Sequence, residues 1–110
     1  MMKQYVDASI IKAVWNKAIP VAGYNPAICR KDMAGAWIVF DAYGDTNSVF
    51  GWEIDHKVPQ ACGGSSNLYN LQPLQWENNR SKGDSYPSCQ FVITSSGEHN
   101  VRLVRYLFVA

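Results

Sequence analysis

Gly51-Trp52-Glu53-Ile54-Asp55-His56, followed by Asn70-Leu71-Gln72-Pro73-Leu74 and then Asn78-Asn79-Arg80-Ser81-Lys82, carries the strongest structural pattern in this chain. Trp52 and Ile54 alternate with Glu53 and Asp55, the period of a half-buried strand, so Glu53 and Asp55 are expected to share a face. After His56 come Pro59 and Gly63-Gly64-Ser65-Ser66-Asn67, which reads as a flexible loop without regular structure. Residues 71–74 form a short returning strand, with Pro73 restricting it to an edge or an end. Residues 75–82 hold neither Gly nor Pro and offer about two helical turns, stopped by Gly83 and Pro87. The central unit is therefore strand, loop, strand, helix.

Upstream, Val6, Ile10, Val14 and Ala18 recur at four-residue spacing, and Ile11 and Trp15 widen the stripe. This predicts an amphipathic helix over residues 7–19, opened by Asp7 or Ser9 and ended by Pro20. Residues 21–32 read as a connector with Gly23, Asn25 and Pro26 as turn material. Trp37-Ile38-Val39-Phe40 is rich in strand formers, and the next strand is expected to begin near Val49. Downstream, Gln90-Phe91-Val92-Ile93-Thr94 and Asn100-Val101-Arg102-Leu103-Val104 flank Ser95-Ser96-Gly97-Glu98, which predicts a terminal hairpin. Residues 105–110 stay strand-like. The expected class is α+β, with an N-terminal amphipathic helix and a C-terminal β-hairpin around the central unit.

At 110 residues the chain matches one core, since single domains occupy about 100–200 residues. Its 47% hydrophobic and 17% charged residues exclude a disordered or membranous composition. The formal charge of +1 gives no ground for inferring nucleic acid from bulk electrostatics. The charge is unevenly placed: Lys3, Lys12, Lys17, Arg30 and Lys31 precede residue 36, while Asp41, Asp45, Glu53 and Asp55 face only Lys57 in the central third. A basic flank beside an acidic centre suits a phosphate backbone lying across a cation site, and solvated surface lysines explain the pattern equally well. Cys29, Cys62 and Cys89 are too few and too widely spaced for a disulfide framework or a four-cysteine zinc site. No apolar stretch reaches spanning length, and Met1-Met2-Lys3-Gln4-Tyr5 is not followed by a signal-peptide core, so a cytoplasmic location is expected.

The residue types of the central unit point to phosphodiester hydrolysis. That reaction requires an activated water and a positive centre to neutralise charge on the phosphate and leaving oxygens. His56 can act as general base and Asp55 as a hard anionic ligand. Asn79 can offer an amide oxygen as a second ligand, and two oxygen ligands describe Mg²⁺, with Mn²⁺ close behind, better than zinc. Asn70 can accept the Nδ1 proton of His56 through its side-chain or backbone oxygen, leaving Nε2 free. Lys82, three residues after Asn79, can reach a phosphate oxygen from the same helix face. Taken singly each has a bland reading: an Asp-His pair arises by chance, and asparagines cap helices or close turns. Their order and spacing together shift the balance.

Residues 50–84 resemble the HNH endonuclease motif of the ββα-metal (His-Me) finger class. The resemblance rests on Trp52-Glu53-Ile54-Asp55-His56, Pro59, Gly63-Gly64, Asn70-Leu71-Gln72-Pro73-Leu74 and Asn79-Arg80-Ser81-Lys82. Val14-Trp15, Arg30-Lys31-Asp32 and Gly35 extend it toward small stand-alone bacterial and phage members. It implies one HNH nuclease domain over residues 1–110 that cuts DNA with one divalent cation, leaving a 5′-phosphate and a 3′-hydroxyl. By the same resemblance Asp55 is the first metal ligand, His56 the general base, Asn70 the asparagine that orients it, and Asn79 the second metal ligand. Lys82, with Lys57 and Arg80, is carried over as a nucleic-acid contact. Lys57 stands where many members have a β-branched aliphatic residue, and Glu53 reads as a salt-bridging residue. No structural zinc is expected, because the paired cysteines of larger members are absent. A single site cuts one strand, so double-strand cleavage would need a homodimer, successive events or a larger assembly such as a phage packaging machine. The alternatives are a non-catalytic nucleic-acid-binding module on the same scaffold and a nuclease toxin held by an immunity partner.

Overall fold

The computed structural model describes residues 6–109. Met1-Met2-Lys3-Gln4-Tyr5, on which the expected lack of a leader rests, and Ala110, the last residue of the predicted terminal strand, lie outside the described residues.

Helix α1 spans Ala8–Trp15, and the Asp7 carboxylate accepts a hydrogen bond from the Ser9 amide at 2.7 Å, satisfying one of the free donors of the first turn. The helix stops at Trp15 rather than at residue 19. Ile19 instead forms an isolated antiparallel bridge with Lys31, each amide donating to the other's carbonyl, and the following Pro20 disfavours helical backbone there. The predicted connector contains a strand, β1 (Cys29–Lys31), paired antiparallel with β2 (Trp37–Val39). Three residues of Cys-Arg-Lys are too few to display alternation.

Strand β3 (Trp52–His56) pairs antiparallel with β4 (Leu71–Gln75), with Trp52 opposite Gln75 and His56 opposite Leu71. It begins at Trp52, not near Val49, because the preceding residues turn tightly. Gly51 passes so close to Asp45 that an added Cβ would stand 1.8 Å from its carbonyl oxygen. Pro73 sits in mid-strand opposite Ile54, which a two-stranded sheet tolerates because each strand has an open edge. Helix α2 (Trp76–Lys82) follows at once, opened by the Gln75 side-chain oxygen, which accepts from Glu77 and Asn78 amides at 2.8 and 3.1 Å. Gly83, at φ +51°, ends it. Strands β5 (Ser88–Ser96) and β6 (His99–Phe108) make a hairpin longer than predicted, with Gly97 and Glu98 alone forming the turn.

Among the described residues two α-helices and three small antiparallel sheets thus make an α+β domain. One core cluster joins Val14, Trp15 and Ala18 of the N-terminal segment to Ile38, Trp52 and Leu71, and the Trp15 ring lies 5.4 Å from both Phe40 and Trp52. A second joins Ala34, Leu74, Cys89, Phe91 and Val109 beneath the terminal hairpin. Between them sits a polar hub. The buried Asp32 carboxylate accepts from the Ala34 and Ala36 amides on one oxygen and from the Gln75 amide and Asn78 Nδ2 on the other. Burial raises its carboxyl above the ordinary value while these donors pull it down. Asn78, fully buried, also donates to the Ile93 carbonyl and accepts from the Val92 and Ile93 amides. The hub ties the β1–β2 turn, the start of α2 and β5 into one frame for β3 and β4. Among the described residues no helix is long and apolar enough to cross a membrane.

Candidate functional site

Alternation along β3 sends Glu53 and Asp55 to the same side, as expected, and that side faces α2. Glu53 accepts from Asn79 Nδ2 at 2.9 Å and forms an ion pair with Arg80 at 2.9 Å. Asp55 pairs with Lys82 at 3.1 Å. Beside these contacts opens a cleft of about 320 Å³ lined by Asp55, His56, Pro59, Asn79 and Arg80, among others. Three of the four residues predicted to carry the chemistry therefore border one cavity.

Asp55 is 6% exposed, and burial raises its carboxyl above the usual carboxylate range against the opposing pull of Gln72 and Lys82. Gln72 Nε2 donates to Oδ2 at 2.9 Å, and the Lys82 ammonium lies on Oδ1. Asn79 gives its amide nitrogen to Glu53, so its oxygen is the atom suited to a cation. Glu53 thus acts as the salt-bridging residue of the sequence reading, and it also sets the flip of the Asn79 amide.

His56, half-buried, meets the Ser66 hydroxyl at Nε2, 3.1 Å away. The expected Asn70 contact is replaced by another role. Asn70 Oδ1 accepts from the Val58 amide, its Nδ2 donates to the Val58 and Ser65 carbonyls, and its backbone oxygen accepts from the Lys57 amide. Asn70 clamps the loop that leaves His56. The run from Gly63 to Asn67 holds no regular structure, as expected, and is flanked by two single-turn 3₁₀ helices, Gln60–Cys62 and Leu68–Asn70, with Gly64 packed so tightly that a Cβ would lie 1.7 Å from the Val58 oxygen.

The three basic residues divide. Arg80 borders the His56 cleft, with a half-exposed guanidinium whose proton the Glu53 bond holds more tightly than usual. Lys82, expected to reach a phosphate, is instead buried, bonding the His56 carbonyl at 2.9 Å as well as Asp55. Lys57 borders a different, smaller cavity with Lys17, Asp32 and Gln72. There Lys17 donates to the Leu68 and Leu71 carbonyls, and burial together with the Lys57 charge lowers its affinity for a proton. Gln72 and Ser66 are the contacts that sequence reasoning missed.

Among the described residues no group of three or more His, Cys, Asp or Glu side chains is arranged to hold a metal ion. The Asp55 and Asn79 oxygens on one cleft still fit a magnesium-like cation, which takes one or two protein oxygens and keeps waters and substrate oxygens for the rest. A carboxylate offers about four lone-pair positions, so Asp55 can keep Lys82 and Gln72 and still bind. No protein-family model, curated protein or solved structure matches this chain.

Proposed function

We propose that this chain is a metal-dependent DNA endonuclease of the HNH type, its β3–loop–β4–α2 unit acting as a ββα-metal finger. The observation that carries the reading is the meeting of Asp55 and His56 from the end of β3 with Asn79 from α2 on one cleft, in the order and spacing of that motif. Asp55 and Asn79 hold one divalent cation, Mg²⁺ or Mn²⁺, which when bound neutralises charge on the phosphate and leaving oxygens.

The chain's own groups do the rest. His56 takes a proton from the attacking water at Nε2 once the Ser66 hydroxyl yields that position. Asn70 holds the loop against Val58 and Ser65, fixing the chain as it leaves His56. Lys82 bridges Asp55 and the His56 carbonyl, so ligand and base keep one geometry. Arg80 on the cleft wall is placed to meet a phosphate oxygen at the expense of its exposed Glu53 pair. A non-catalytic nucleic-acid-binding module is the second reading, favoured by the protein partners that already engage each Asp55 oxygen. Calorimetry of Mg²⁺ and Mn²⁺ separates the two. The nuclease reading expects binding that Asp55→Ala and Asn79→Ala each weaken, and unchanged binding in both variants would remove the metal site from the account.

A further inference from the structure

The outer face of the terminal hairpin breaks the usual rule that a small domain leaves no long apolar row in water. Along β6, Asn100, Arg102, Arg105 and Leu107 turn toward the body of the molecule. Asn100 exchanges hydrogen bonds with the Trp37 backbone, Arg102 pairs with Glu77, Arg105 donates to the Ala34 carbonyl, and Leu107 packs on the second core cluster. The residues between them, Val101, Leu103, Val104, Tyr106 and Phe108, are all exposed, the last two at 69% and 78%.

Strict alternation would not put these five on one face, because Leu103 and Val104 are neighbours. The pairing supplies the reason. Phe91 stands opposite Arg105 and Ile93 opposite Arg102, so Val92 alone faces both Leu103 and Val104. This extra residue is a bulge in β6, and it shifts the alternation by one so that Val104, Tyr106 and Phe108 join Val101 and Leu103. The bulge has a second effect. A bulged strand bends and pairs poorly along its free edge, one of the standard protections against edge-to-edge addition. The edge is thus guarded while the face is left apolar.

We infer that this face is a contact between two copies of the chain, packed sheet on sheet across a two-fold axis. Burying a Tyr or Phe side chain removes about 150–250 Å² from water, so two such rings with three aliphatic neighbours form the apolar centre of an interface of the standard size, about 800 Å² per partner. On β6 Arg105 is held inward, and Arg102, although its side chain is 65% exposed, is paired with Glu77, so neither arginine brings an unpaired charge to oppose its own copy. The net charge of +1 adds no long-range repulsion between copies. An apolar row with no unpaired charge fits another such row better than it fits a charged surface.

The test is sedimentation equilibrium of the full chain at micromolar concentrations, beside a Leu103→Lys/Tyr106→Lys double variant and an Ile28→Lys control. Ile28 is 56% exposed and lies outside the face. Expected are a dimer for the native chain and the control, and a monomer for the double variant with an unchanged far-ultraviolet circular dichroism spectrum. A monomeric native chain, a double variant that still dimerises, or a control that dissociates would each overturn the inference. The nuclease reading does not enter this test.

Discussion

The central unit and the terminal hairpin depart from the inside–outside rule in opposite directions. Between β3 and α2 the chain buries Asp55, Asn70, Gln72, Gln75, Asn78 and Lys82, whereas β6 exposes five large apolar side chains. Buried polar groups persist when they are bonded, and a bonded network fixes its members in one geometry. Exposed apolar rows persist when something covers them. On the proposed readings, the first departure gives rigid placement to a catalytic site and the second offers a face to another copy.

Substitutions can sharpen or break this contrast. His56→Ala should lower DNA cleavage by about 10²–10⁴-fold, the usual contribution of a general base, with little change in urea unfolding because the ring is only half-buried. Lys82→Met should cost about 3–5 kcal/mol of stability, since it leaves the Asp55 charge buried without its partner. Adding Mg²⁺ should recover part of that loss if Asp55 accepts a cation, and a midpoint insensitive to Mg²⁺ would count against it. Asn78→Ala should cost more than about 2 kcal/mol, because the Val92 and Ile93 amides and the Ile93 carbonyl lose this partner together and Asp32 Oδ2 keeps only the Gln75 amide. Tyr106→Lys should change the stability of the monomer by no more than about 0.5 kcal/mol. A larger loss would mean that β6 belongs to the folded core and that the two regions differ less than described.

How much was legible follows the range of the interactions. Alternation along Trp52-Glu53-Ile54-Asp55 is a property of the extended chain, so the common face of Glu53 and Asp55 could be read directly. The returning strand, the α2 boundaries and the hairpin turn carry local signals in Pro73, Gly83 and Gly97. The length of α1 was misjudged because Ile19 is captured by Lys31, a partner twelve residues away that no local pattern announces. Lys82 read as a phosphate contact because it follows Asn79 by three residues on one helix face, and only the fold brings Asp55 and the His56 carbonyl to it. Asn70 was tied to His56 by proximity in the motif, yet its side chain reaches across the loop to Val58 and Ser65. The apolar face of β6 was hidden by its bulge, which makes the sequence look irregular where the surface is continuous.

The proposed activity of the Asp55–His56–Asn79 cleft is hydrolysis of phosphodiesters with a divalent cation. The most direct measurement is nicking of supercoiled plasmid by the purified chain in EDTA, in Mg²⁺ and in Mn²⁺, with His56→Ala under each condition. Conversion to open circles is expected only with a cation and only by the native chain. Equal cleavage by the variant, or none by the native chain with either cation, would contradict it.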